Sequence, residues 1–200
     1  MANEATPEIF SISPVPLPTS YYQYIMSLFV GSSRATTIAA APDFQLNSSD
    51  PDTTRNTLSR VGTLFFWTCA NQFNALAYAS QANVYLYELE VGYTHPDNID
   101  DPMCTNEVCH EDDIALVFGT YSSPTSQQSA TGAEMRSRWT AFAANGNPNV
   151  AGKVQWNKVS GATNLNLLRM SASSVINQTL YSNDCGPVFG NTVLYNFQLD

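Results

Sequence analysis

The sequence predicts an α/β fold. Segments with apolar residues at helical spacing alternate along the chain with short segments that are rich in β-branched and aromatic residues, which is the pattern of an α/β layer architecture. Hydrophobic residues make up 44% of the 200 residues and aromatic residues 12%, which is enough for a sizeable core. Only two strands stand out. Two strands do not complete a sheet, so part of the fold is expected to lie outside this chain.

The N-terminal half of the sequence is predicted to be helical. Residues 11–20 contain alternating prolines and predict an extended connector. Residues 20–32 predict a short helix, and residues 41–55 a polar loop with two prolines. Apolar residues then recur at helical spacing, which predicts a long amphipathic helix over residues 54–81.

The C-terminal half mixes strands, a loop and a helix. Residues 83–91 are β-branched and aromatic-rich and predict a strand, and residues 92–110 form a long acidic loop. A second helix is predicted over residues 126–145, because its apolar residues share one face and Gly146-Asn147-Pro148 stops it. Residues 165–170 predict a second strand.

Charge excludes two classes of partner. The net charge is −9, with 8 Lys and Arg against 17 Asp and Glu, so no basic surface exists to neutralise nucleic-acid phosphates or anionic lipid headgroups. No segment has the length and apolar character of a transmembrane helix. The sequence therefore predicts neither nucleic-acid binding nor an integral membrane segment.

Cysteine usage indicates an oxidising compartment. The even number of cysteines and the few lysines are typical of secreted proteins. Four cysteines allow three pairings. We favour a short loop closed by Cys104 and Cys109, together with a bridge from Cys69 to Cys185 that fastens the end of the chain to a helix.

Two sequons support the same secreted or extracellular location. They are Asn47-Ser48-Ser49 and Asn177-Gln178-Thr179, with Asn47 and Asn177 as the predicted glycosylation acceptors. Met1 is followed by polar residues without a basic start, so no signal peptide is recognised. A chain of secreted character without such a signal is expected to be incomplete at its N-terminus.

His110 is the candidate general base. It is one of only two histidines, and it lies between an acidic loop and a short apolar segment. Imidazole is the side chain whose unperturbed pKa lets it take and give a proton near neutrality. Read alone, a lone histidine is more often a surface or capping residue.

Two metal sites are alternatives on residue type alone. Calcium takes several oxygen ligands, but the acidic residues of this region do not have the spacing of an EF-hand loop, so a solvated loop face is favoured. Zinc is disfavoured because a disulfide suits an acidic, secreted chain better. The calcium set would be Asp97, Asp100, Asp101, Glu107, Asp112 and Asp113, and the zinc set Cys104, Cys109, His110 and His95.

Several motifs in one order resemble a known family. Asn3-Glu4-Ala5-Thr6 resembles a segment that carries an acidic catalytic residue. His110, with Asp113-Ile114 and Val117-Phe118-Gly119 after it, resembles a block that carries a catalytic histidine. Trp139-Thr140-Ala141-Phe142-Ala143, followed by Gly146-Asn147-Pro148-Asn149, resembles a tryptophan helix and its turn. Trp156 and the predicted strand of residues 165–170 come next in the expected order.

The family is that of the type-B carboxylesterases and lipases, the cholinesterase-like α/β-hydrolases. The resemblance implies that residues 1–200 are the C-terminal portion of a single carboxylesterase-type α/β-hydrolase domain whose N-terminal portion is missing, with helices packed on a partial, mostly parallel sheet. Cys69 and Cys185 resemble the family's late disulfide, whereas the Cys104–Cys109 pair is not a general family feature. Glu111 stands where the family usually has a small residue.

The resemblance also implies a Ser-Glu-His triad, in which Glu4 orients His110 and His110 activates a serine. No Gly-x-Ser-x-Gly motif occurs in this sequence, so the serine is absent and the chain alone is expected to be inactive. The predicted function is a fragment of a carboxylic ester hydrolase for small-molecule or lipid esters, without a cofactor or metal. The alternative is a non-catalytic, esterase-like adhesion or binding protein that keeps the fold and has lost the serine.

Overall fold

The computed structural model describes residues 4–101, 104–105, 107–161, 165–171, 175–178 and 185. These residues form two compact units. The N-terminal unit comprises the described residues up to Phe73 together with Cys185, and the C-terminal unit comprises the described residues from Asn74 to Gln178.

The N-terminal unit is helical. Its helices are α1 (Thr6–Ile12), α2 (Tyr22–Val30), α3 (Ser32–Ala40) and α4 (Thr53–Gly62). Helix α4 continues without a break into a π-helical segment, Thr63–Cys69, and then into α5 (Ala70–Tyr78), which contains the boundary between the units. Short 3₁₀ turns lie at Thr19–Tyr21 and Pro42–Phe44.

The two helices predicted in this half are confirmed, and two others were missed. The predicted long helix of residues 54–81 is the run α4, π-helical segment and α5. Helix α1 was missed because the prolines after Ile12 made the whole region look extended. Helix α3 was missed because serine, threonine and alanine give it a weak apolar stripe, although Ala35 and Ile38 are fully buried.

The core of the N-terminal unit comes from the inward faces of these helices and from the 3₁₀ turn at Phe44. Its fully buried apolar residues are Met26, Val30, Ala35, Ile38, Phe44, Leu58, Val61, Cys69 and Cys185. Cys69 and Cys185 form a disulfide, with sulfur atoms 2.04 Å apart, so the predicted pairing is confirmed.

The C-terminal unit packs helices on a small sheet. Its strands are β1 (Tyr87–Leu89), β2 (Leu167–Met170) and β3 (Val175–Gln178), in spatial order β1-β2-β3. Strands β1 and β2 are parallel, with Leu89 opposite Met170. Strands β2 and β3 are antiparallel. Together with α6 (Ile114–Phe118) and α7 (Ser126–Asn145), this arrangement confirms the predicted α/β class.

Helix α7 has the predicted bounds because both of its ends are encoded locally. The Thr125 hydroxyl accepts the backbone N–H of Gln128, and the Gln128 side chain accepts the N–H of Thr125, which makes a reciprocal capping box. Gly146 ends the helix in the left-handed conformation.

Strand β1 is shorter than the predicted segment of residues 83–91. Before β1, the carbonyl of Val84 accepts the N–H of Val159, and the carbonyl of Leu86 accepts the N–H of Leu168. Val84 and Leu86 therefore hydrogen-bond to two different stretches of chain. Residues 84–86 of the predicted strand are therefore extended, but their hydrogen-bond partners come from two separate segments and do not form one regular ladder.

Buried apolar residues join the sheet to helices α6 and α7. One cluster consists of Leu89, Val108, Leu116, Met135, Trp156, Leu168 and Met170. Trp156 donates its indole N–H to the carbonyl of Leu86 at 2.9 Å, which satisfies the polar end of this buried ring. Within the described ranges, no helix is both long enough and apolar enough to cross a bilayer.

Candidate functional site

His110 lies in a long connection between β1 and α6. We call residues 92–113 the His110 loop; all of them except 102, 103 and 106 are described. His110 is half-buried and immediately precedes Glu111, whose φ is +68°. That left-handed conformation costs a residue with a Cβ atom about 1–2 kcal/mol. Glu111 therefore holds a backbone conformation that glycine adopts without this cost.

A buried carboxylate organises the His110 loop. Asp112 is only 1% exposed. Its Oδ1 accepts the backbone N–H of His95 at 2.7 Å and the side-chain amide of Asn98 at 3.0 Å, and its Oδ2 accepts the backbone N–H of Cys109 at 2.8 Å. Three donors to one carboxylate satisfy a charge that would otherwise be costly to bury.

These hydrogen bonds connect the two ends of the loop on both sides of His110. Asn98 also donates to the carbonyl of His110 at 2.7 Å, and Tyr93 donates its backbone N–H to the carbonyl of Asp112 at 2.8 Å. The backbone at residues 109, 110 and 112 is thus tied to residues 93–98 by main-chain and side-chain bonds. This network fixes the position of the backbone that carries the imidazole.

The absence of a side chain at Gly92 makes room for Asp112. A Cβ atom at Gly92 would lie 2.7 Å from the Cβ of Asp112 and 3.4 Å from both its Oδ2 and a methyl group of Val108. Real Cβ atoms do not approach this closely, so any larger residue would push Asp112 away from its three donors.

The Cys104–Cys109 disulfide closes the loop directly before His110. Its sulfur atoms are 2.02 Å apart, and the predicted pairing is confirmed. The disulfide removes two of the four ligands of the zinc alternative, since a cysteine binds zinc only as a free thiolate. That zinc set is therefore excluded.

The structure does not gather the six residues of the calcium alternative. The Asp112 carboxylate accepts hydrogen bonds within the His110 loop, while Asp97 and Asp100 are exposed. Among the described residues, the metal-ligating atoms that converge belong to His95, Asp97 and Glu111, all within 4.8 Å of one another. This set was not singled out from the sequence.

Glu4 lies at the start of the N-terminal unit, one residue before the buried Ala5. The backbone N–H of Ala5 donates to the hydroxyl of Thr63 at 3.1 Å. A Cβ atom at Gly62 would lie 2.7 Å from the Cβ of Ala5. Glu4 is half-buried and takes part in a polar interaction. The segment that carries this carboxylate is thus seated on the junction between α4 and the π-helical segment.

Glu4 and His110 belong to different units, and each is described within its own unit. Their pairing remains a prediction. Sequence reasoning missed Asp112 as the residue that fixes the loop, because Glu111, Asp112 and Asp113 form a run of like charges. Nothing in such a run tells which carboxylate is buried.

Comparison with known proteins adds an independent finding. The model of the family described as "Carboxylesterase family" matches residues 20–187, a range that contains His110. No curated protein matches the sequence significantly.

Two solved structures are similar to the chain in fold. A PNB (para-nitrobenzyl) esterase superposes with a TM-score of 0.63 at 20% identity, and a thermophilic PNB esterase with a TM-score of 0.62 at 18% identity. Each match covers 88% of this chain and 34% of the solved one, so the chain spans about a third of the length of these structures. Both are α/β-hydrolase esterases, and this chain has part of that fold.

Proposed function

The chain belongs to the carboxylesterase family, and on this premise we propose that it is the C-terminal portion of a single-domain carboxylic ester hydrolase that works through a Ser-Glu-His triad. The family match over residues 20–187 is the observation that carries the proposal. His110 supplies the base and Glu4 the carboxylate. The serine and the amides of the oxyanion hole come from a portion that is not in this sequence.

The chemistry follows from the weakness of a serine hydroxyl as a nucleophile. His110 takes the hydroxyl proton as the serine oxygen attacks the ester carbonyl, and it returns this proton to the departing alcohol. An acyl-enzyme remains. His110 then takes a proton from the water that attacks the acyl group, and it gives this proton to the serine oxygen as the carboxylic acid leaves. Glu4 holds the imidazole in the correct tautomer and stabilises the imidazolium that forms.

The loop network supports His110 in this role. A general base has to hold its ring nitrogen within hydrogen-bond reach of the hydroxyl, and a small displacement of the base costs rate. Asp112, Asn98 and the Cys104–Cys109 disulfide fix the backbone on both sides of His110. The substrates we propose are small-molecule or lipid carboxylic esters.

The decisive test uses the longest natural protein that contains this chain, assayed with a short-chain aryl ester. We expect His110→Ala to lower kcat about 10⁵-fold and Glu4→Gln about 10⁴-fold. Asp100→Asn, which removes an exposed charge from the same loop, is the control and should retain full activity. The double variant should be no slower than His110→Ala, because members of a triad act as a unit.

The proposal also predicts that the 200-residue chain alone has no esterase activity. If the purified chain hydrolyses the ester, and both Glu4→Ala and His110→Ala abolish this activity, the proposal that the triad serine lies outside this chain is contradicted. A Gly-x-Ser-x-Gly in the gene upstream of Met1 supports the hydrolase. A substituted serine there supports the alternative, an esterase-like binding protein.

We further propose that the protein is secreted and glycosylated. Asn47 is exposed, and its Oδ1 accepts both the backbone N–H of Ser49 at 3.0 Å and the Ser49 hydroxyl at 2.7 Å, so the sequon is accessible. Asn177 lies in β3, and its side chain falls outside the described part of the structure. Protein secreted from a eukaryotic host should lose mass on enzymatic deglycosylation, and Asn47→Gln should remove one glycan.

A further inference from the structure

Three metal-ligating side chains converge beside the proposed base without belonging to the triad. His95 Nδ1 lies 3.4 Å from Glu111 Oε2 and 3.7 Å from Asp97 Oδ2. The three ligating atoms lie within 4.8 Å of one another. His95 is one of only two histidines in the chain, and Glu111 directly follows the other.

All three converging atoms are electron-pair donors. The backbone N–H of Asp97 approaches His95 Nδ1 at 3.4 Å, and in the neutral imidazole this nitrogen can present a lone pair to the cluster. Two carboxylate oxygens face the same lone pair. The two carboxylates repel one another unless a positive charge lies between them or on the imidazole.

No basic residue lies close to this cluster in the sequence. No lysine or arginine occurs between Arg60 and Arg136, a stretch that includes the entire His110 loop. The two carboxylates carry a formal charge of −2 and the imidazole is neutral when its lone pair is available. A divalent cation would neutralise this set.

We propose that His95, Asp97 and Glu111 bind one zinc ion, or a transition-metal cation with the same preference for imidazole and carboxylate ligands. Two ligand atoms on a tetrahedral zinc ion, each about 2.0–2.2 Å from the metal, lie about 3.3–3.6 Å apart. The distance of 3.4 Å from His95 Nδ1 to Glu111 Oε2 lies within this range. The distance of 3.7 Å to Asp97 Oδ2 lies just outside it, and a small rotation of the exposed Asp97 side chain closes the difference. Imidazole nitrogen favours zinc over calcium or magnesium, which prefer oxygen ligands alone.

The site is held in place and open to solvent. The backbone N–H of His95 is fixed by Asp112 at 2.7 Å, and Asp97 lies in the 3₁₀ turn Pro96–Asn98. The exposed side-chain fractions are 25% for His95, 42% for Glu111 and 86% for Asp97, so an ion can enter and water can complete its coordination. Such an ion would connect residues 95–97 to the residue after His110 and stabilise the His110 loop.

The test measures zinc binding by the purified 200-residue chain, prepared without a histidine tag and treated with chelator. Competition with a chromophoric zinc indicator should give one zinc per chain at neutral pH. His95→Ala and Glu111→Gln should each weaken zinc binding by at least about 10-fold. Glu111→Gln keeps the size of the side chain, and circular dichroism establishes that both variants fold.

The matched controls are His110→Ala, which removes the other histidine, and Asp100→Asn, which removes an exposed acid of the same loop. Both should retain one zinc at unchanged affinity. Zinc should also raise the melting temperature of the unmodified chain and leave that of His95→Ala unchanged.

Three outcomes would overturn the proposal. One is the absence of stoichiometric zinc binding. Another is zinc binding that is lost in His110→Ala and kept in His95→Ala. The third is binding of calcium in preference to zinc. None of these results depends on esterase activity, so they stand apart from the test of the triad.

Discussion

The segment that carries Glu4 and the loop that carries His110 are held by different means. The His110 loop is fixed by a buried carboxylate with three donors and by the Cys104–Cys109 disulfide. In the Glu4 segment, the backbone N–H of Ala5 donates to the hydroxyl of Thr63, and Ala5 packs closely against Gly62. The two segments share one feature. Each packs against a glycine, Gly62 or Gly92, whose lack of a side chain makes room for it.

The difference follows from the surroundings of each segment. The His110 loop is long and polar, so it has few apolar side chains to bury, and its order has to come from hydrogen bonds and a covalent link. The Glu4 segment continues directly into α1, so the helix supplies part of its order. Substitutions in the loop should therefore cost more than equivalent ones in the Glu4 segment.

Removing the disulfides should have the largest effects on the free energy of unfolding. One disulfide lies in each unit, so the two variants compare the units. Cys69 and Cys185 are separated by 116 positions, whereas Cys104 and Cys109 are separated by 5. Because loop-closure entropy grows with loop length, replacing the first pair by serine should cost about 5 kcal/mol and replacing the second about 2 kcal/mol. Urea denaturation of the two double-serine variants measures both values. Equal losses would show that the short disulfide stabilises by more than loop closure.

Removing the Asp112 carboxylate should have the next largest effect. Asp112→Ala leaves the donors on His95, Asn98 and Cys109 without their acceptor, and we expect a loss of about 3 kcal/mol in the free energy of unfolding. Asp100→Asn is the control, because Asp100 is exposed, and should change stability by less than about 0.5 kcal/mol. A loss in Asp112→Ala as small as in the control would mean that the carboxylate does not hold the loop.

Gly92→Ala tests the same loop through its backbone. The added methyl group would meet Asp112 at 2.7 Å and Val108 at 3.4 Å, and neither can retreat without disturbing the Asp112 bonds or the apolar cluster. We expect a loss of about 2 kcal/mol. Gly92→Ala should also make Asp112→Ala less costly in the double variant, because the two act on one contact.

Much of the fold could be predicted because it is encoded locally. Helix α7 was predicted over residues 126–145 from its apolar face and the stop at Gly146, and these are its observed bounds. The structure adds that its start is also encoded locally, by the capping box of Thr125 and Gln128. Strand β1 was predicted too long because its limits depend on partners that are distant in sequence, such as Val159 and Leu168. Local pattern gives the type of an element more reliably than its ends.

The candidate site could be predicted only in part, for the same reason. His110 and the two disulfide pairs were found from residue type, spacing and resemblance. The roles of Asp112 and Gly92 could not be found, because each depends on which residue faces which after the loop has folded. The grouping of His95 with Asp97 and Glu111 was missed because the predicted zinc set included the two cysteines, which in fact bond to each other.

Gly62→Ala gives the smallest expected effect and the sharpest test of how Glu4 is held. Gly62 has φ −59° and ψ −48°, so alanine suits its helical backbone and gains about 1 kcal/mol in helix propensity. Against this gain stands the 2.7 Å contact with the Cβ of Ala5, which costs about 2 kcal/mol. The net loss should be about 1 kcal/mol.

The rescue variant isolates that contact. Outside its own helix, and among the residues that the structure describes, the added methyl group meets Ala5 alone within 4 Å. Ala5→Gly combined with Gly62→Ala therefore removes the clash and should recover the stability lost in Gly62→Ala alone. In the full-length protein, Gly62→Ala should lower kcat by displacing Glu4, and the double variant should regain it. Stability that returns while kcat stays low would separate the packing of Ala5 from the placement of Glu4, and the Glu4 segment would then need another point of attachment.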